Sequence, residues 1–164
     1  MAGLDPAIYV RHGREKNVDA RDSTGMTEST MERLFILAIF GHLIGDYLLQ
    51  SKWMALTKSK PGAEGFRACT IHVAVYTVAV CALVGTLSPL FAIAVFVPHW
   101  IIDRWSLATP WLKLIGGRTF EAARANTTPS REFDIAFTAI VYTVTDNTMH
   151  ALCLWGAVWL VVAG

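Results

Sequence analysis

Four apolar stretches alternate with polar, mostly basic segments along the chain: Leu34–Gln50, then roughly Cys69–Leu87, Pro89–Ala108 and Ile135–Ala163. A helix needs about 17–25 residues to cross a hydrocarbon core roughly 30 Å thick, and these stretches reach that length. The last is long enough to tilt or to begin as an interfacial helix. None shows the two-residue alternation of a barrel strand, so helices are the expected spanning structure. The pattern therefore predicts an all-α integral membrane bundle of four transmembrane helices over residues 31–164.

The polar positions inside these stretches are of few kinds. His42 and Asp46, His99 and Asp103, and Asp146 and His150 each lie four residues apart, and His72 stands alone in the second stretch. Residues four apart share a helix face, so each pair can aim two side chains at one point. Ionisable groups within a membrane are costly and face the bundle interior, where they mark functional sites. Measured at about 1.5 Å per residue from the predicted outer helix ends, Asp46, Asp103, His150 and His72 lie roughly 20–24 Å deep. His42 and His99 come out about 14–16 Å deep, and Asp146 and Gln50 about 26 Å. All four helices thus bring their polar groups to one slab in the inner half of the membrane.

Apart from Arg104 at the inner boundary, histidine and aspartate are the ionisable residues of these stretches. Imidazole with carboxylate is ligand chemistry for zinc, manganese or iron, and helix bundles build one- and two-metal sites in this way. The candidate ligands are His42, Asp46, His72, His99, Asp103, Asp146 and His150. Asp46, Asp103 and Asp146 are also the candidate catalytic carboxylates, as general base or as groups that orient a histidine. The plainer alternative is an interhelical hydrogen-bond network worth about 1–2 kcal/mol per bond or less. Pro98 removes one backbone donor directly before His99, which would either aim that histidine or serve packing alone.

Composition agrees with a membrane chain: 54% hydrophobic and 16% charged residues, with mean hydropathy +0.43, where a soluble domain averages about 25% charged. A net charge of +1 gives no reason to expect a nucleic-acid partner. Cys69, Cys81 and Cys153 lie singly in apolar surroundings and read as small packing residues. No P-loop, dinucleotide turn or nucleophile elbow occurs.

The connection Ser51–Arg67 holds Lys52, Lys58, Lys60 and Arg67 against Glu64, and Arg104–Asp134 holds five basic residues against three acids. By the positive-inside rule both belong in the cytoplasm, with Trp53, Trp105 and Trp111 as an interfacial belt. Residues 1–30 are polar and aperiodic, without the parts of a signal peptide. They resemble a translated repeat that fronts mis-started reading frames in alphaproteobacteria, and are expected to be disordered, with the start at Met26 or Met31.

The order GHLIGDYLLQSKWM, isolated His72, PHWIIDRW and TDNTMH resembles a family of small bacterial and phage membrane proteins, the domain of unknown function 3307. The likeness runs from about Met31 to the C-terminus. His42, Asp46, Gln50, His72, His99, Asp103, Asp146 and His150 fall on its polar positions, with Asn147 where the family more often has glutamine. A looser likeness in histidine–aspartate usage connects it to membrane-bound metal-dependent hydrolases. The expectation is an inner-membrane metal-dependent hydrolase acting on a lipid-like substrate, its head group near Lys52, Lys58 and Arg104. Membrane lipids are the expected partners, with a homo-oligomer left open. The alternatives are a small proton or metal-ion transporter and an accessory protein with a structural polar core.

Overall fold

Helix boundaries in this chain follow from local chemistry at their ends. Ser51, Ser88 and Thr119 each precede a helix and accept a hydrogen bond from the backbone N–H three residues on, supplying an orphan donor of the first turn with a partner. Pro89 follows Ser88 at the first helical position, where its missing N–H costs nothing. The computed structural model describes residues 28–163, and every regular element among them is helical. The first helix, α1, covers 28–43 and continues into a π-helical turn, Ile44–Leu48, closed by Leu49 N–H on Ile44 O at 2.9 Å. Then come α2 (Lys52–Thr57), α3 (Gly62–Val84), α4 (Pro89–Trp105), α5 (Ala108–Gly116), α6 (Phe120–Ala125) and α7 (Arg131–Ala163).

The order of long helices matches the apolar pattern, with differences at the ends. Residues 28–30, expected in the disordered extension, are helical; the rest of that extension lies outside the described residues. α3 starts at Gly62, inside the expected basic connection. The third stretch does not run on to residue 108. Ser106 takes a left-handed conformation (φ 46°), and the Ser106 and Leu107 N–H groups return to Asp103 O and Ile102 O, ending α4 in a Schellman turn. α5 then leaves at 61° to α4. The basic connections, read as plain links, contain α2, α5 and α6.

α3 packs on α4 and α4 on α7, while α2 and the π turn lie against α3 and the α5 and α6 helices against α7. Gly41 and Gly45 let α1 approach α3 closely: a Cβ would stand 2.7 Å from Val80 Cα at Gly41 and 2.7 Å from Tyr76 Cδ2 at Gly45. One end of the bundle is an apolar core of Ala38, Val80, Phe91, Val95, Leu154 and Val158. The other end is polar, formed by the end of α1, the first half of α3, the last half of α4 and the middle of α7. By length and composition α3 is apolar enough to cross a membrane, as is the bent pair α4–α5. The middle of α7 carries Thr145, Asp146, Asn147, Thr148 and His150, which lowers its hydropathy.

Candidate metal centre

Each of the three spaced pairs meets on its own helix. His42 Nδ1 lies 3.4 Å from Asp46 Oδ2, His99 Nε2 3.1 Å from Asp103 Oδ2, and His150 Nδ1 3.6 Å from Asp146 Oδ2. The first pair stays together although α1 turns π-helical between its members. Such turns recur at functional sites because they re-aim one side chain without ending the helix.

The four helices bring these pairs and His72 into one cluster. His72 Nε2 sits 3.3 Å from Asp46 Oδ1, 3.0 Å from Asp103 Oδ2 and 3.2 Å from His99 Nε2. His99 Nε2 is 3.4 Å from Asp46 Oδ1, and His150 Nε2 is 4.0 Å from Asp103 Oδ1. His42, His72, His99, Asp103 and His150 are all at most 3% exposed. The Asp46 and Asp146 side chains retain 10% and 18%. Asp146 is thus the most accessible carboxylate of the three, at the rim rather than the middle. The Tyr76 ring lies against that of His99, their centroids 3.7 Å apart, and closes the cluster towards the apolar core.

Three further residues join the centre. Gln50 Nε2 lies over the His72 ring, 3.3 Å from Nε2 and 3.4 Å from Nδ1. Asn147 Oδ1 accepts from His42 Nε2 at 2.7 Å. Lys58, read from the sequence as a basic loop residue near a head group, instead reaches inward, its Nζ donating to Asp103 Oδ2 at 2.8 Å. Burial works against the Lys58 ammonium, yet the adjoining Asp103 carboxylate raises its pKa above the usual lysine value. No charge pattern distinguishes Lys58 from Lys52 or Lys60. The signals for its course are the Ser51 cap and Gly65, where a Cβ would stand 1.9 Å from Lys60 O, so that the α2–α3 turn folds tightly back.

Hydrogen bonding within the cluster is incomplete. His42 Nδ1, Asp46 Oδ1, His99 Nδ1 and both ring nitrogens of His150 are buried without a hydrogen-bond partner. Leaving such atoms unpaired costs about 1–3 kcal/mol each, so native interiors rarely do so without a bound group. The donor set fits a divalent ion. Ligand atoms lie within 4.8 Å of one another in three overlapping groups: His42, Asp46, His99 and His150; His72, His99 and Asp103; and Asp103, Asp146 and His150. Imidazole and carboxylate suit zinc, manganese or iron.

No curated protein and no solved structure matches the chain. A family model does, over residues 34–162, a span that contains every residue of the cluster. On that match the chain belongs to the family described as Protein of unknown function (DUF3307).

Proposed function

We propose that this chain is a multi-pass membrane protein whose buried histidine–aspartate centre binds a divalent metal ion and hydrolyses an ester or phosphoester bond of a lipid-like molecule. The observation that carries the metal reading is His150: 1% exposed, with neither ring nitrogen hydrogen-bonded, among imidazoles and carboxylates. A structural polar core would pair those nitrogens.

Membrane insertion of all four long helices is supported by an inside-out distribution. Polar groups fill the centre, while large apolar side chains face outward: Phe40 on α1, Val78 on α3, Ile93 on α4, Leu152 and Trp159 on α7 are each at least half exposed. Such a surface suits lipid and not water. Past the bend α5 exposes Trp111, Leu114 and Ile115, as a helix lying in the interface does. With the basic connections inside, the protein belongs in a bacterial plasma membrane, its centre open towards the cytoplasmic leaflet.

Held by these histidines and aspartates, a divalent ion would supply Lewis-acid chemistry at the reacting bond. The chain's own residues divide the remaining work. Asp146, accessible at the rim, accepts the proton of the attacking water as its oxygen bonds to the ester carbon or phosphorus, and returns that proton to the leaving oxygen as the ester bond breaks. Asp103 orients His72 and His99 through its Oδ2. Tyr76 and the apolar core exclude water from the far side. An open cleft of about 470 Å³, lined by Ser59, Arg104, Ser106 and Thr109 with exposed Trp105, suits an anionic head group at the membrane surface. Among the described residues an apolar core lies beyond Tyr76, which favours a one-sided site over a transporter.

The experiment is hydrolysis of ester and phosphoester lipids in vesicles by the purified chain with and without added zinc, manganese or iron. Metal-dependent turnover that falls at least 100-fold in Asp146→Asn, with metal content unchanged, supports the reading. A metal-loaded chain inactive on every lipid class tested overturns hydrolysis.

A further inference from the structure

Lys58 meets a carboxylate that is itself a candidate ligand. Asp103 Oδ2 has the Lys58 ammonium at 2.8 Å, His72 Nε2 at 3.0 Å and His99 Nε2 at 3.1 Å. An ion in the His72, His99, Asp103 group would share that oxygen with a second positive charge. Two cations on one buried oxygen repel strongly, since little water screens them.

The cluster's atoms without a hydrogen bond concentrate in one group. The His42, Asp46, His99, His150 group holds all of them (His42 Nδ1, Asp46 Oδ1, His99 Nδ1 and both His150 nitrogens), whereas the His72, His99, Asp103 group holds only the His99 atom and the Asp103, Asp146, His150 group only those of His150. His72 and Asp103 leave no such atom, because each already has hydrogen-bond partners. Charge points the same way. Asp46, Asp103 and Asp146 carry three formal negative charges, which one divalent ion and one ammonium cancel. Two divalent ions beside the ammonium would leave two positive charges in excess, at a high desolvation cost.

The ammonium is also held in place. Gly65 permits the close turn against Lys60 O, and Trp53 Nε1 donates to Glu64 Oε1 at 3.3 Å, tying α2 to α3. The Lys58 side chain is 17% exposed.

We infer that the centre is built for a single divalent ion, in the His42, Asp46, His99, His150 group, with Lys58 standing where a second ion would sit against Asp103 and His72. This rests on the metal reading above and goes further, since it assigns the second positive charge to the protein. In hydrolysis Lys58 then neutralises an oxyanion on the face of the centre away from the ion, the part a second ion takes in two-metal sites.

The experiment loads the whole chain with manganese, counts ions per chain by mass spectrometry and records the electron paramagnetic resonance spectrum. Wild type is expected to hold one ion with an uncoupled spectrum. Lys58→Glu, which exchanges the ammonium for a fourth carboxylate, is expected to hold two and to show an exchange-coupled pair. Two ions or a coupled pair in wild type overturn the inference, as does a folded Lys58→Glu chain that holds one. Where Lys58→Glu does not fold, the wild-type spectrum decides alone. A folded wild type with no ion overturns the metal reading itself, an outcome distinct from binding two.

Discussion

Asn147 fixes the tautomer of His42. Its Oδ1 accepts from His42 Nε2 at 2.7 Å, and its Nδ2 donates to Thr143 O at 2.7 Å and to Tyr47 Oη at 2.5 Å. Those two acceptors hold the amide with its oxygen towards the imidazole. His42 Nε2 therefore carries the proton, and Nδ1, buried and without a hydrogen bond, keeps the lone pair that a metal ion would take. Asn147→Leu is expected to weaken metal affinity about 10–100-fold, the usual cost of losing an outer partner of a ligating histidine. Asn147→Gln retains an amide and should recover much of it. Competition with a chromophoric chelator measures both; equal affinity in wild type and Asn147→Leu would rule out this role.

His150 makes no hydrogen bond yet is buried, so its imidazole destabilises the metal-free protein. His150→Leu is expected to raise the stability of the metal-free chain by about 1–3 kcal/mol, the penalty of an unpaired buried polar group. The same change should abolish the rise in Tm expected of wild type on adding metal. Thermal unfolding in detergent reads both effects, and a His150→Leu chain still stabilised by metal would exclude His150 as a ligand.

Gly45 lies where the π turn meets α3, and a Cβ there would stand 2.7 Å from Tyr76 Cδ2 and 3.0 Å from Tyr76 Cα. Backbone cannot yield as a flexible side-chain tip can. Gly45→Ala should lose about 1–3 kcal/mol through overpacking and, by shifting Tyr76 against His99, should weaken metal binding as well. An unchanged Tm and affinity would show that α1 and α3 have room to spare.

Val78 is 69% exposed and stands at the centre of the apolar stretch Cys69–Leu87. On a water-facing helix an aspartate there would be harmless. In a bilayer it costs about 2.5–3.5 kcal/mol at mid-depth. Val78→Asp should therefore lower the membrane-integrated fraction after alkaline extraction, and normal yield of a water-soluble, folded variant would contradict insertion of α3.

The helical class and the grouping of the centre were legible because both rest on helix period. Residues four apart share a face whatever the tertiary structure, so His99 and Asp103, or Asp146 and His150, could be paired in advance. What lies outside that period was not legible. Ser106 takes a left-handed conformation usually left to glycine, so nothing marked the end of α4 or the 61° departure of α5. The π turn under Asp46 has no composition signal of its own. Lys58 resembled any basic loop residue, since its course into the centre depends on the Gly65 contact across a turn. Tyr76 reads as an ordinary core aromatic until α3 and α4 are packed together.

The central claim, that these imidazoles and carboxylates hold a metal, is tested most directly by elemental mass spectrometry of the whole chain. The protein is purified in mild detergent without chelator or an affinity metal, beside His150→Leu. One stoichiometric divalent ion in wild type, absent from folded His150→Leu, is the result expected. A folded wild type that stays metal-free after reconstitution with zinc, manganese and iron would contradict it.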